Sequence, residues 1–141
     1  MSRDDEFRDY LSQHGVRCES LDRTSRDDAE NRWREIYGEA FAEQSRLRQG
    51  AKAEHAYQEQ ACTHYLVVPF SSDVKGLPIN FVGRSLEAYE CSGTLVSLRL
   101  FHSVEFFVCP VDFSWTMVYT HEDYGCGGPF FVRREWLPEE S

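Results

Sequence analysis

The chain has no paired-cysteine motif, no phosphate-binding glycine loop, no nucleophile elbow and no apolar run long enough to cross a bilayer. Each absence removes a class of function. The five cysteines, Cys18, Cys62, Cys91, Cys109 and Cys126, are odd in number and irregularly spaced, and none forms a C-x-x-C pair. A zinc ribbon and a thioredoxin-type redox pair are therefore not signalled. Without a Walker or G-x-G-x-x-G cradle, nucleotide binding has no support. Without G-x-S-x-G, hydrolase-type serine chemistry has none either. Met1 is followed by Ser-Arg-Asp-Asp-Glu, with no basic and apolar leader pattern. The expectation is a cytoplasmic protein that does not enter a membrane, with reduced thiols serving as small apolar fillers.

Positive charge is also short. Fifteen basic residues stand against 24 acidic ones, a formal charge of −9. That field repels a phosphate backbone and disfavours general nucleic-acid binding. It suits solubility, and steered association with a basic protein partner. Aromatic residues, by contrast, are abundant at 14% of the 141 residues, and most follow Tyr57. A single domain spanning 1–141 can bury a core without disulfides or metal.

Residues 1 to about 60 read as helical and 62–137 as β-rich. Phe7, Tyr10 and Leu11 share a face of a short helix ending near Gly15, and Val16–Leu21 reads as a connector or short strand. Thr24 or Ser25 can cap a second helix, in which Ala29, Trp33, Ile36, Tyr37, Ala40 and Phe41 fall on one face. That helix is expected to reach about Arg48, and residues 51–60 either continue it or form another. Tyr65–Phe70 reads as a strand and Arg84–Glu90 as a short helix using Leu86 and Tyr89. Thr94–Phe101, Val104–Cys109 and Phe113–Thr120 read as strands whose short connections demand antiparallel pairing. In the last of these, Phe113, Trp115, Met117 and Tyr119 alternate with smaller residues, the pattern of a half-buried strand. Phe130–Arg133 pairs back after the glycine-rich turn. The expected architecture is α+β, with N-terminal helices packed on one face of a small antiparallel β-meander.

Chemistry-bearing residues concentrate at Thr120-His121-Glu122-Asp123, just before the turn that holds Cys126. His121 beside Glu122 and Asp123 has the composition of a carboxylate-oriented general base, and Cys126 in its glycine loop is a candidate thiol. The same group serves equally to hydrogen-bond the following turn and hold Pro129–Phe131 against the sheet. Cys62, His64, His121 and Cys126 are zinc-type ligands, but Cys-x-His is not a standard spacing and nothing fixes a fourth ligand, so no metal and no cofactor are expected. Asp4, Asp5 and Glu6, with Asp27, Asp28 and Glu30, form two acidic clusters suited to a basic partner.

Phe113-x-Trp115-Thr116-x-Val118-x-Thr120-His121-Glu122, followed by Gly128-Pro129-Phe130-Phe131, resembles the closing signature of a family of small uncharacterised bacterial domains. Phe130 stands where that pattern commonly has Tyr, and Cys126-Gly127 lengthens the turn. The resemblance covers residues 80–136 and implies no catalytic role. By size, acidity and lack of a catalytic signature such domains are similar as a class to immunity proteins and antitoxins. The resulting expectation is a protein-binding module, an inhibitor occluding a toxin. The alternatives are a small enzyme using His121 and Glu122, and a regulatory subunit with another partner.

Overall fold

The computed structural model describes residues 3–43, 47–69, 87–96, 98, 106–119 and 129–137. In chain order these form α1 (Arg3–Gln13), β1 (Arg17–Ser20), α2 (Arg23–Glu43), β2 (Arg48–Gln49), α3 (Ala51–Gln58), β3 (His64–Pro69), β4 (Tyr89–Ser92), β5 (Phe106–Pro110), β6 (Trp115–Tyr119) and β7 (Phe130–Arg133). A 3₁₀ turn, Arg134–Trp136, follows β7. The strands make one seven-stranded sheet in the order β1-β4-β3-β5-β6-β7-β2. Every pairing in it is antiparallel. The expected α+β class with an antiparallel sheet holds, and β5-β6-β7 is the later part of the expected meander.

The helices do not share one face. Phe7 and Leu11 of α1, with Ala53 and Tyr57 of α3, join Tyr65, Val67, Tyr89, Cys91, Phe106, Val108, Trp115, Met117, Tyr119 and Phe131 in one core. Ala29, Trp33, Tyr37 and Phe41 of α2 join Leu66, Val68, Phe107, Cys109, Val118, Phe130 and Val132 in a second core on the opposite side. The reason lies in the central strands. β5 and β6 are buried at every position and β3 at all but His64, so both faces carry apolar side chains that must leave water. β6 is therefore not half-buried. Thr116 occupies its second face fully covered.

That second face is organised by Trp33. Its ring stacks on Phe107 with centroids 5.3 Å apart. Its Nε1–H donates to Thr116 Oγ1 at 2.8 Å, and Thr116 passes the bond to the Val108 carbonyl at 3.1 Å. Tyr37 OH donates to the Phe113 carbonyl at 2.6 Å. Phe113 has φ 60°, a left-handed conformation costly to a bulky residue. The turn accounts for it. The Phe113 amide closes onto the Pro110 carbonyl, and Asp112 Oδ1 accepts the Ser114 amide. The twist sends the Phe113 ring to the α2 core, while Trp115, expected on the same side, enters the α1/α3 core.

Other boundaries differ from expectation for local reasons. Asp22, not Thr24 or Ser25, caps α2, its Oδ1 accepting the Ser25 amide at 2.7 Å. Arg48–Gln49 leaves the helix to pair with Phe130–Phe131, so α3 is a separate helix entered through Gly50 at φ 59°. Tyr89–Glu90 is strand rather than helix, because β4 fills the gap between β1 and β3. Of the expected strand Thr94–Phe101, residues 94–96 and 98 are described, and they are irregular. This stretch crosses the α1/α3 face, where Tyr65 OH reaches the Thr94 carbonyl and Tyr57 OH the Val96 carbonyl.

Two stability outcomes follow. Thr116→Val keeps the shape but strands the buried Trp33 N–H, which lowers unfolding free energy in urea by about 1–3 kcal/mol. Gly93 has φ +132°, and a Cβ there would lie 2.6 Å from the Gly15 carbonyl oxygen and 3.0 Å from Val16 Cα. Both obstacles are backbone, so Gly93→Ala should cost about 3 kcal/mol or more. Gly15→Ala, with φ +77° but open space around it, should cost only about 1–2 kcal/mol. Melting curves of the two alanine variants should separate in that order.

Candidate functional site

Two surfaces carry chemistry among the described residues. The first is the end of edge strand β1. Phe7 and Leu11 pin α1 to the sheet, which turns Asp5, Glu6 and Asp9 outward. An Arg8 nitrogen donates to Ser20 Oγ at the far end of β1, and Ser20 donates on to Glu87 at 2.9 Å. α2 begins three residues later. Its first turns expose Asp27 and Asp28 on the other side of the sheet, while Glu19 is exposed on β1 itself. The two acidic clusters thus flank one corner from opposite faces of the sheet. Arg17 and Arg23 are exposed in the same stretch of chain, and Arg8 and Arg26 have further partners. Arg8 also lies over the Tyr89 ring at 5.1 Å. Arg26 donates to the Pro69 carbonyl at 2.7 Å and sits 3.7 Å from Asp27.

Not every predicted acid belongs there. Glu30 is only 5% exposed. Its Oε2 accepts bonds from Arg34 at 3.0 and 3.2 Å, one turn along α2, so it is an internal partner and not a docking group. Asp4 lies in the first turn of α1, with its side chain outside the described residues.

The second surface is an open groove that no sequence motif indicated. It runs between α3 and the C-terminal 3₁₀ turn as two adjoining hollows of about 1050 and 580 Å³. Arg48 and Lys52 line both hollows, and Trp136 forms the opposite wall. The Arg48 guanidinium lies 5.2 Å from the Trp136 ring centroid. Arg133 bonds Gln60 at 2.6 Å and also Glu135. The lining comes from segments some eighty residues apart, so no local spacing could have announced it. Its walls mix signs, and it is open rather than enclosed.

The residues expected to carry catalysis, His121, Glu122, Asp123 and Cys126, lie outside the described residues. The other half of the expected zinc-type set is placed. Cys62 Sγ donates to the His64 carbonyl at 3.2 Å, while His64 Nε2 pairs with Glu90 on the neighbouring strand. Among the described residues no group of three or more His, Cys, Asp or Glu side chains could hold a metal. Burial pushes all four described thiols above the ordinary range, and at Cys18 the Arg8 charge works against that rise. No described helix is long and apolar enough to cross a membrane.

No family model, no curated protein and no solved structure matches the chain. The family resemblance therefore rests on its motif alone. Two portions of that motif are placed, Trp115–Tyr119 as β6 and Phe130–Phe131 within β7.

Buried acids with raised pKa make alkaline pH destabilising. Desolvation raises Cys91 and Cys109 above the ordinary thiol value of 9.0, and Tyr57 and Tyr65 above the ordinary phenol value of 10.0. The unfolded chain releases these protons first, so their contribution is complete below pH 9.0 and is lost as pH climbs toward the folded values. The melting temperature should fall steadily above that point. A Cys91→Ala, Cys109→Ala double variant should make the fall between 9.0 and the phenol value of 10.0 shallower, leaving only the part due to Cys18 and Cys62. A flat profile through that window would contradict the assignment.

Proposed function

We propose that this protein is a protein-binding module, and specifically a cytoplasmic immunity-type inhibitor that occludes a bacterial toxin. The observation that carries the reading is the gathering of exposed carboxylates from α1, β1 and α2 around one end of the sheet, in a chain of net charge −9. Carboxylates displayed in this way imitate the charge of a polyanionic substrate. A toxin with a basic cleft would be drawn to them by long-range attraction and blocked on docking. The enzymatic alternative rests on His121, Glu122, Asp123 and Cys126, and no described geometry favours it. A regulatory partner other than a toxin would use the same surface.

The test is affinity capture from lysate of the source organism, repeated with two variants. One reverses the corner (Glu6→Lys, Asp9→Lys, Asp27→Lys, Asp28→Lys) and the other neutralises the groove (Arg48→Ala, Lys52→Ala). The expected result is one stoichiometric basic partner whose association slows at least roughly tenfold with corner reversal and with added salt. The groove variant should bind normally, and both variants should melt like the parent. Loss of the partner with the groove variant alone would move the binding surface there. Absence of any partner would sink the reading.

A further inference from the structure

Cys18 on β1 and Cys91 on β4 are register partners in an antiparallel pair. Which kind of pair they form follows from the bonds around them. The Leu21 amide donates to the Ala88 carbonyl at 2.9 Å, one step beyond the Ser20↔Tyr89 pair. Hydrogen-bonded and non-hydrogen-bonded pairs alternate along an antiparallel ladder. Counting back from 21/88, the pair 19/90 is hydrogen-bonded and the pair 18/91 is not. The other side of β4 agrees. The Gly93 amide donates to the Thr63 carbonyl at 2.9 Å, which makes Tyr65↔Cys91 a hydrogen-bonded pair, with the Cys91 N–H and C=O directed toward β3 and away from β1. Non-hydrogen-bonded partners have Cα atoms about 4.5 Å apart with their side chains adjacent. That separation lies inside the range of about 4.4–6.8 Å that a disulfide spans. Both side chains also point to the same side, Cys91 inside the α1/α3 core and Cys18 packed against it.

We propose that Cys18 and Cys91 form a reversible cross-strand disulfide that latches edge strand β1 to the sheet. The oxidant is a low-molecular-weight disulfide such as oxidised glutathione. Cys18 is partly exposed and Cys91 fully buried, so the order of events is set. The Cys18 thiolate attacks one sulfur of the small disulfide and its S–S bond breaks, leaving a mixed disulfide on Cys18 and one released thiol. Cys91 then gives up its proton and attacks Cys18 Sγ across the ladder, expelling the second small thiol. Two protein thiols are oxidised, one small disulfide is reduced to two thiols, and the atoms balance. The other described thiols are placed differently. Cys62 precedes β3 and bonds the His64 carbonyl, and Cys109 belongs to the α2 core on the other face. Because β1 joins α1 to α2, the bond would restrain the whole crossing from one face of the sheet to the other.

The reduced full-length protein is treated with oxidised glutathione under native conditions and read by intact mass and non-reducing peptide mapping. The expected product has lost two hydrogens, links Cys18 to Cys91 and melts at a higher temperature, and dithiothreitol reverses both changes. The link should still form in Cys62→Ser and disappear in Cys18→Ser, a half-exposed position that tolerates the change. Glutathione retained on Cys18, a link from Cys18 to Cys62 or Cys126, or an unchanged mass under conditions that oxidise the denatured chain would each overturn the proposal.

Discussion

The structure depends on one constraint: the sheet must be covered on both sides. Antiparallel sheets often leave one face to water, and an alternating strand such as Phe113–Tyr119 suggests that arrangement. Here Thr116, Val118, Phe107, Cys109, Val132 and Phe130 make the second face as dry as the first. A single long helix, α2, covers it through Trp33, Tyr37 and Phe41, and the two short helices share the other face with Leu95, Val96 and Leu98. Thr116, buried on β6, is satisfied from both directions, which lets a hydroxyl sit in an apolar layer at little cost.

This covering determines how the surface is assembled. To place α1 and α2 on opposite sides, the chain must round the sheet, and it does so along β1. That strand is short, mostly exposed and outermost, and its outward side chains include Arg17 and Glu19. Charges on an edge discourage indiscriminate pairing. The same turn brings the beginnings of both helices to one corner, so acidic residues separated by some twenty positions flank it from opposite faces of the sheet. The proposed function and the proposed latch therefore share a structural origin, although each stands on different residues.

Much of this was legible in the sequence. The α2 stripe, the strands β3, β5 and β6 and the return of Phe130–Arg133 follow from periodicity and short connections. What was not legible was decided by distant partners. Tyr89 lies three residues after Leu86, a helical spacing, yet it becomes strand because β1 and β3 supply a slot for it. Arg48–Gln49 has no strand signature and extends only because Phe130–Phe131 offers an edge. Phe113 breaks its own alternation because the Pro110–Ser114 turn forces a positive φ. Glu30 looked like surface charge until Arg34, one turn along, folded over it. The groove beside Trp136 draws on residues from 47 to 136, and no window of sequence contains it.

The two ends of the sheet are unequal. At one end β2 extends for two residues and then turns through Gly50 into α3, leaving too short a rung to template another chain. At the other end β1 presents four residues. Growth of a filament by strand addition needs a donor edge and an acceptor edge on every copy. A molecule with one serviceable edge can meet a like molecule there once, and the pair then has nothing left to offer a third. Among the described strands, the geometry that frees one side of the molecule for recognition also makes open-ended stacking self-terminating.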